Sequence, residues 1–303
     1  MEQKYPSKSE LDIILNKYIE LDLKGVSYPK LFIQLQKDLK LIPFTTAKIK
    51  KGSTVERARI NKKGEVFYSE NEISYRTDIQ NITEYGRANT PHTSMFYGSI
   101  VSEKIQNPRI VNLIETEETF RTKSNADLDL IFTVGKWRIL EELEVAEIVF
   151  SKKVRELNGK VEEAYTYHID KLKREHPNDY EYYIRVLEFF AEQFSKPEIN
   201  SDDDYKFSAA YMGMVLEKGL PALIYPSVRT EYLGNNIVLP IRAVEEFLSL
   251  EIVAMFKVKK VGQDTLIHNA KIASDLGPMN SKFVWEDMPE LSEDQINQIL
   301  LEK

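Results

Sequence analysis

The chain has 303 residues, of which 42% are hydrophobic and 29% charged, and 41 basic side chains stand against 48 acidic ones for a net charge of −7. This composition suits one large or two smaller globular domains, excludes disorder over most of the chain, and argues against nucleic acid as a partner. There is no cysteine, which excludes disulfides, thiolate catalysis, thiolate zinc sites and iron–sulfur clusters. The four histidines, His92, His168, His176 and His268, show no HxxxH spacing, so a metal centre is not expected either.

The N-terminus carries no apolar stretch of a signal peptide, and no later run approaches the roughly 20 apolar residues of a membrane span. The expectation is a cytoplasmic protein with no membrane contact. Ser7-Lys8-Ser9-Glu10 has capping-box spacing. Leu11, Ile14, Leu15, Tyr18 and Ile19 then recur at i, i+3 and i+4, which predicts an amphipathic helix to about Leu23. Pro29 opens a second helix through Leu31, Leu35 and Leu39, which Pro43 stops. Residues 1–45 are therefore expected to be a helical hairpin ahead of a main domain at 46–265, with residues 266–303 as a tail. Lys48 to Lys63 is basic, and Arg57 and Arg59 stand at period two, so a strand turns both to one side.

Strands are predicted at Ser94–Tyr97, Ile110–Ile114 and Leu128–Val134. A helix-rich insert follows. Arg138–Val154 carries Leu140, Leu143, Ala146 and Val149 at helical spacing, Asp179–Phe194 carries an aromatic stripe, and Lys206–Lys218 continues the helical pattern. Ala222–Tyr225, halted by Pro226, and Asn236–Leu239 read as strands. Ala243–Leu250 reads as a helix and Glu251–Val261 as a strand, and Ser292 with Gln295 caps an acidic helix to Leu301.

No Gly-x-Gly-x-x-Gly loop, Walker loop, Gly-x-Ser-x-Gly elbow or HExxH occurs. Three clusters join polar residues to strand ends or turns: Glu56-Arg57-Ala58-Arg59-Ile60; Gly86-Arg87-Ala88-Asn89-Thr90-Pro91 leading into Met95-Phe96-Tyr97-Gly98-Ser99; and Ala222-Leu-Ile-Tyr-Pro-Ser-Val-Arg229 leading into Leu233-Gly234-Asn235-Asn236.

The order of an early arginine, a GRxN-x-P turn feeding an apolar strand that ends in tyrosine, a following glutamate and a late Pro-Ser pair resembles the RES domain. The resemblance covers roughly residues 50 to 260. It implies an α/β (α+β) protein with an ADP-ribosyltransferase-like split β-sheet core, a helical insert and the N-terminal hairpin. It implies NAD⁺ as substrate, no metal, and cleavage of the nicotinamide–ribose bond, with the ADP-ribosyl group passed to water, to phosphate or to a protein. Bacterial relatives are commonly toxins held by an antitoxin, so an antitoxin partner is implied as well. Alternatively, the terminal helices pack on the domain or build a homodimer. Carried over by position, Arg57, Glu115 and Ser227 are the expected catalytic residues, with Arg59, Arg87, Asn89, Tyr97 and Tyr225 binding the dinucleotide. Arg59 is a near alternative to Arg57. Glu117 is an alternative to Glu115, on the same face of a strand.

The chemistry agrees with the residue types. A guanidinium grips a pyrophosphate with paired hydrogen bonds. Nicotinamide departs neutral, so the barrier lies in an oxocarbenium-like sugar cation that a carboxylate steadies. Arg57 or Arg87 fits the first task and Glu115 the second. Ser227 suits orienting the carboxamide or ribose, and the Tyr97 ring suits stacking on nicotinamide. A non-catalytic binding module that keeps the scaffold is the remaining reading, in which Glu115 and Glu117 point away from Arg57 and Ser227.

Overall fold

The computed structural model describes residues 5–122, 124–277, 281–292, 295, 296 and 299. The chain is mixed α/β, with strands that pair mostly antiparallel, and it divides into two compact units that alternate along the sequence. Helices α1 (Lys8–Ile19) and α2 (Tyr28–Leu39) and strand β1 (Thr46–Ile49) open unit 1. Strand β2 (Thr54–Asn61) and the short helix α3 (Glu70–Ile73) open unit 2. Residues 78–95 belong to unit 1; β3 (Met95–Ile100), from Phe96 on, belongs to unit 2 with α4 (Pro108–Thr116), α5 (Glu118–Arg121) and β4 (Leu128–Ile139). Unit 1 resumes with β5 (Leu143–Glu147), α6 (Lys152–Leu157), α7 (Gly159–Glu175), α8 (Tyr180–Ser195), α9 (Lys206–Glu217) and β6 (Leu223–Pro226). Unit 2 is completed by β7 (Asn235–Pro240), α10 (Ile241–Phe247), β8 (Leu248–Val261), β9 (Asp264–Ala273) and β10 (Glu286–Asp287). Among the described residues no helix is long and apolar enough to cross a membrane.

In unit 1 the N-terminal hairpin forms as its sequence signals predict. The Ser7 hydroxyl accepts the Glu10 N–H, and the Glu10 carboxylate accepts the Ser7 N–H at 2.7 Å, so two of the orphan donors at the start of α1 are satisfied. Leu11, Leu15 and Tyr18 bury one face of α1, and Leu31, Leu35 and Leu39 bury one face of α2. Tyr18 meets Phe207 edge-on at 5.7 Å, and α2 comes so close to α9 that a Cβ at Gly213 would lie 3.0 Å from the Phe32 ring. Strand β5 pairs antiparallel with β1 and parallel with β6. A parallel pair cannot be closed by a tight turn. Helices α6 to α9 are that crossover, which gives the helical insert a structural reason.

In unit 2 the strands run in the order β7-β3-β2-β4-β8-β9-β10. Strand β4 pairs antiparallel with β2 on one side and with β8 on the other. The β8–β9 hairpin turns at Gly262, whose φ of 59° lies where glycine is favoured. The two faces of β2 are covered differently. A Cβ on Gly135, opposite Arg57, would strike Trp137 and Ile73 of α3. The other face packs Ala58, Phe132, Val134, Phe256 and Val258 with Leu113 of α4.

Three predicted elements differ from the structure. Ile110–Ile114 is not a strand but the middle of α4. Pro108 stands in its first turn, where the missing N–H costs nothing, and the β-branched Ile110 and Val111 tolerate the helix because Val111 and Leu113 are buried against the sheet. Arg138–Val154 is not a helix: β4 ends at Ile139 and β5 follows. Leu143 and Val145 are buried with Glu144 exposed between them, and that alternation prevails over the threefold spacing. Helix α10 stops at Phe247, and Leu248–Leu250 already belong to β8. The stretch counted as a tail opens with β9, which pairs along its length with β8. Ser292 and Gln295 do cap each other, at 2.9 and 3.2 Å, whereas most of the helix expected beyond them lies outside the described residues.

Gly98 marks the closest approach of β3 to β2. A Cβ there would lie 2.7 Å from Val55 Cγ1 and 2.9 Å from the Glu56 carbonyl oxygen, and the backbone atom cannot rotate away. Gly98→Ala is expected to lower stability by about 1–3 kcal/mol through overpacking. In urea titration the midpoint falls while the slope stays unchanged.

Candidate active site

Strand β2 places Arg57 and Arg59 on the α3 face, as the period of two requires. Arg57 Nε donates to the Ser74 carbonyl at 3.0 Å and Nη1 to the Tyr97 carbonyl at 2.6 Å, while its Cζ stands 5.4 Å from the centre of the Phe96 ring. Arg59 Nη1 donates to the Glu72 carbonyl, and its Cζ stands 5.4 Å from the Phe67 ring. The carboxylates of the α3 turn are committed elsewhere. Glu72 accepts the N–H groups of Tyr68 and Ser69 and the Ser69 hydroxyl, and Glu70 accepts Trp137 Nε1 at 2.9 Å.

No carboxylate pairs with Arg57 or Arg59 among the described residues. Residue 57 is half-buried: protein crowds its guanidinium, yet the residue keeps contact with solvent. Burial first, and the neighbouring Arg59 second, push it down to about 10, so it is charged at neutral pH without a counter-charge. Its planar fork is held by two carbonyls and a ring, and those contacts leave Nη2 for an anion.

The other face of β2 holds Glu115. Glu56, only 3% exposed, accepts the backbone N–H of Arg109 at 2.8 Å and Arg109 Nη2 at 3.3 Å, so a buried carboxylate caps the start of α4. Asn112 Nδ2 donates to the Glu56 carbonyl at 2.8 Å, and Arg109 lies over the Phe256 ring. Thus anchored, α4 carries Glu115 in its last turn. Glu115 Oε1 accepts Asn236 Nδ2 at 2.9 Å, and Asn236 Oδ1 accepts the Ser99 hydroxyl at 3.1 Å. Register pairs Ser99 with Glu56, so alternation along β3 puts Tyr97 on this face too.

Arg57 and Glu115 therefore lie on opposite faces of β2, and no described contact joins them. The two arrangements meet along β3. Arg57 is bonded to the Tyr97 carbonyl and Glu115 is linked to the Ser99 hydroxyl, two residues or roughly 7 Å apart along the strand. Glu117 does not share a strand face with Glu115. It follows the end of α4, and its carboxylate accepts the Thr119 N–H at the start of α5.

The remaining expected residues belong to unit 1. Gly86–Asn89 is a tight turn closed by reciprocal backbone hydrogen bonds of 3.0 and 3.4 Å, and Asn89 Nδ2 donates to the Thr90 carbonyl. Arg87 Nη1 donates to the Phe194 carbonyl at 2.5 Å and Nη2 faces the Lys196 carbonyl at 3.5 Å, so the guanidinium serves the carbonyls at the C-terminal end of α8. Tyr225 is buried on β6, its ring centre 5.4 Å from that of Phe194. Ser227 is fully buried, and its hydroxyl accepts the Thr230 N–H at 3.3 Å. The turn after it is strained: Glu231 and Tyr232 both have positive φ, 54° and 66°, at a cost of roughly 1–2 kcal/mol each. Asn158 Nδ2 on the Tyr232 carbonyl and Tyr232 Oη on the Ser195 carbonyl hold it in place.

Sequence reasoning missed Asn236, Ser99 and Glu56 as parts of the site. The Asn235-Asn236 pair before an apolar run was the available signal, but nothing local told which partner it would meet. Among the described residues no group of three or more histidines and carboxylates could hold a metal ion. No protein-family model matches the chain, and no curated protein matches it.

Inorganic pyrophosphate is expected to raise the thermal midpoint of the protein, because at a hundred times its Kd a ligand stabilises the folded state by about 2.7 kcal/mol. In Arg57→Met the shift disappears, and in Arg59→Met it shrinks. Differential scanning fluorimetry across a pyrophosphate series checks both.

Proposed function

We propose that the protein is an NAD⁺-consuming enzyme that cleaves the nicotinamide–ribose bond, and that its fold is an ADP-ribosyltransferase-like split sheet, as the resemblance to the RES domain implies. The observation that carries this reading is Arg57, a half-buried guanidinium with no carboxylate partner among the described residues, held by the Ser74 and Tyr97 carbonyls. A charge kept in that state calls for an anion, and the pyrophosphate of a dinucleotide offers oxygens to the remaining Nη2. The antiparallel sheet of unit 2, in which the register joins β2 to β3 at the single pair Glu56–Ser99, supports the split-sheet part of the proposal.

In the reaction the bond from ribose C1 to the pyridinium nitrogen breaks, and its electron pair leaves with neutral nicotinamide. Glu115, tethered by Asn236, stabilises the sugar cation and bonds its hydroxyls. Water then attacks C1 and releases a proton, giving ADP-ribose; phosphate or a protein nucleophile in the same place gives the phosphorolysis product or an ADP-ribosylated protein. The Tyr97 ring stacks on nicotinamide. A toxin restrained by an antitoxin is the biological setting that goes with this activity.

One observation favours a second reading, a nucleotide-binding module without turnover: Arg57 and Glu115 lie on opposite faces of β2. Chromatography of NAD⁺ incubated with purified protein, with and without phosphate, separates the two. The enzyme reading expects release of nicotinamide, with kcat reduced about 10²- to 10³-fold in Glu115→Gln and KM raised in Arg57→Met. Intact NAD⁺ in both buffers, together with a pyrophosphate-dependent thermal shift, would leave the binding module.

A further inference from the structure

The third sequence cluster ends in Asn235-Asn236, and of these the proposed reaction uses Asn236 only as a tether of Glu115. Asn236 is buried, 7% exposed, between a fully buried hydroxyl and a carboxylate. Ser99 Oγ can only be matched by the amide oxygen if it donates, and it does so at 3.1 Å; the amide must then present its NH₂ to Glu115, which it does at 2.9 Å. The direction of the relay is thereby set. Ser99 fixes the Asn236 amide, and Asn236 in turn holds one defined oxygen of Glu115 as an acceptor. The anchor is on a strand rather than a loop, and Asn236 is contributed by β7, which lies next to β3 in the sheet.

We propose that Asn236 is a positioning residue for Glu115, holding the orientation in which that carboxylate faces the sugar, with Ser99 setting the sense of the Asn236 amide. The proposal rests on the reading of Glu115 as the sugar-facing carboxylate. Its geometric core, the one-way hydrogen bond between residues 236 and 115, can be tested without any activity.

The test reverses the polarity of that bond with isosteric changes. In Asn236→Asp two carboxylates stand face to face, so the folding equilibrium falls at least tenfold at pH 7. In Asn236→Asp with Glu115→Gln the amide at 115 donates to the carboxylate at 236, whose other oxygen still accepts from Ser99, and most of that loss returns. Equilibrium unfolding of the wild type, both single variants and the pair measures the coupling. Additive effects would overturn the proposal.

Turnover supplies the second arm. Asn236→Leu lowers kcat by about 10- to 100-fold with KM changed less than twofold, as expected when a group is misplaced rather than removed. In the Glu115→Gln background the same substitution has no further effect on kcat. A further loss of similar size in that background would mean that Asn236 acts on its own, and would also overturn the proposal. A wild type that leaves NAD⁺ intact overturns the enzymatic reading instead, and the coupling measured by unfolding then decides the positioning claim alone.

Discussion

A carboxylate inside unit 2 governs the layout of the candidate site. Glu56 is almost wholly buried, and a charge in that position is tolerable only with partners. It finds them in the first turn of α4, in the Arg109 N–H and guanidinium, while its own carbonyl receives Asn112. These bonds fasten the helix to the strand at one point and in one orientation. Because β2 alternates, fastening α4 over Glu56 turns Arg57 and Arg59 to the opposite face, toward α3. The residue that stands just before the first arginine of the Glu56–Ile60 cluster is thus the one that decides where both the cationic pair and the helical glutamate go.

The arginines of the chain show how little a residue type says before its partners are known. Arg109 is matched by the buried Glu56, as partly buried guanidiniums usually are, and the exposed Arg138 by Glu251. Arg87 is matched by helix-end carbonyls and so has a structural task. Arg57 also bonds carbonyls, but beside a second cation and with no carboxylate partner among the described residues, a combination that stability alone does not favour. Its surroundings, rather than its place in a motif, set it apart.

Much of this was legible in the sequence where the determining forces are local. The capping box at Ser7, the stripe through Leu31, Leu35 and Leu39, the strand expected at Ala222–Tyr225 and found one residue later, and the shared face of Arg57 and Arg59 all follow from spacing. Glu115 was found but put on a strand, since Ile110, Val111 and Ile114 have strand-like side chains and only Pro108 signals a helix start. The 138–147 segment misled in the opposite sense, because its leucines and alanine are spaced by three. Asn236 and its partner Glu115 are 121 residues apart, and no local rule joins them. Whatever depends on a long-range partner, including the bond of Arg87 to the end of α8, became readable only in three dimensions.

The parallel pairing of β5 with β6 has an effect on how the molecule is made. Thr46 of β1 bonds Glu144 of β5, 98 positions later in the chain, and β5 cannot gain its other neighbour until the whole helical crossover has been synthesised. On the ribosome the first two helices therefore emerge with their apolar sides uncovered and wait for α8 and α9. Loop closure over such spans slows assembly, so the N-terminal helices gain their cover late in folding.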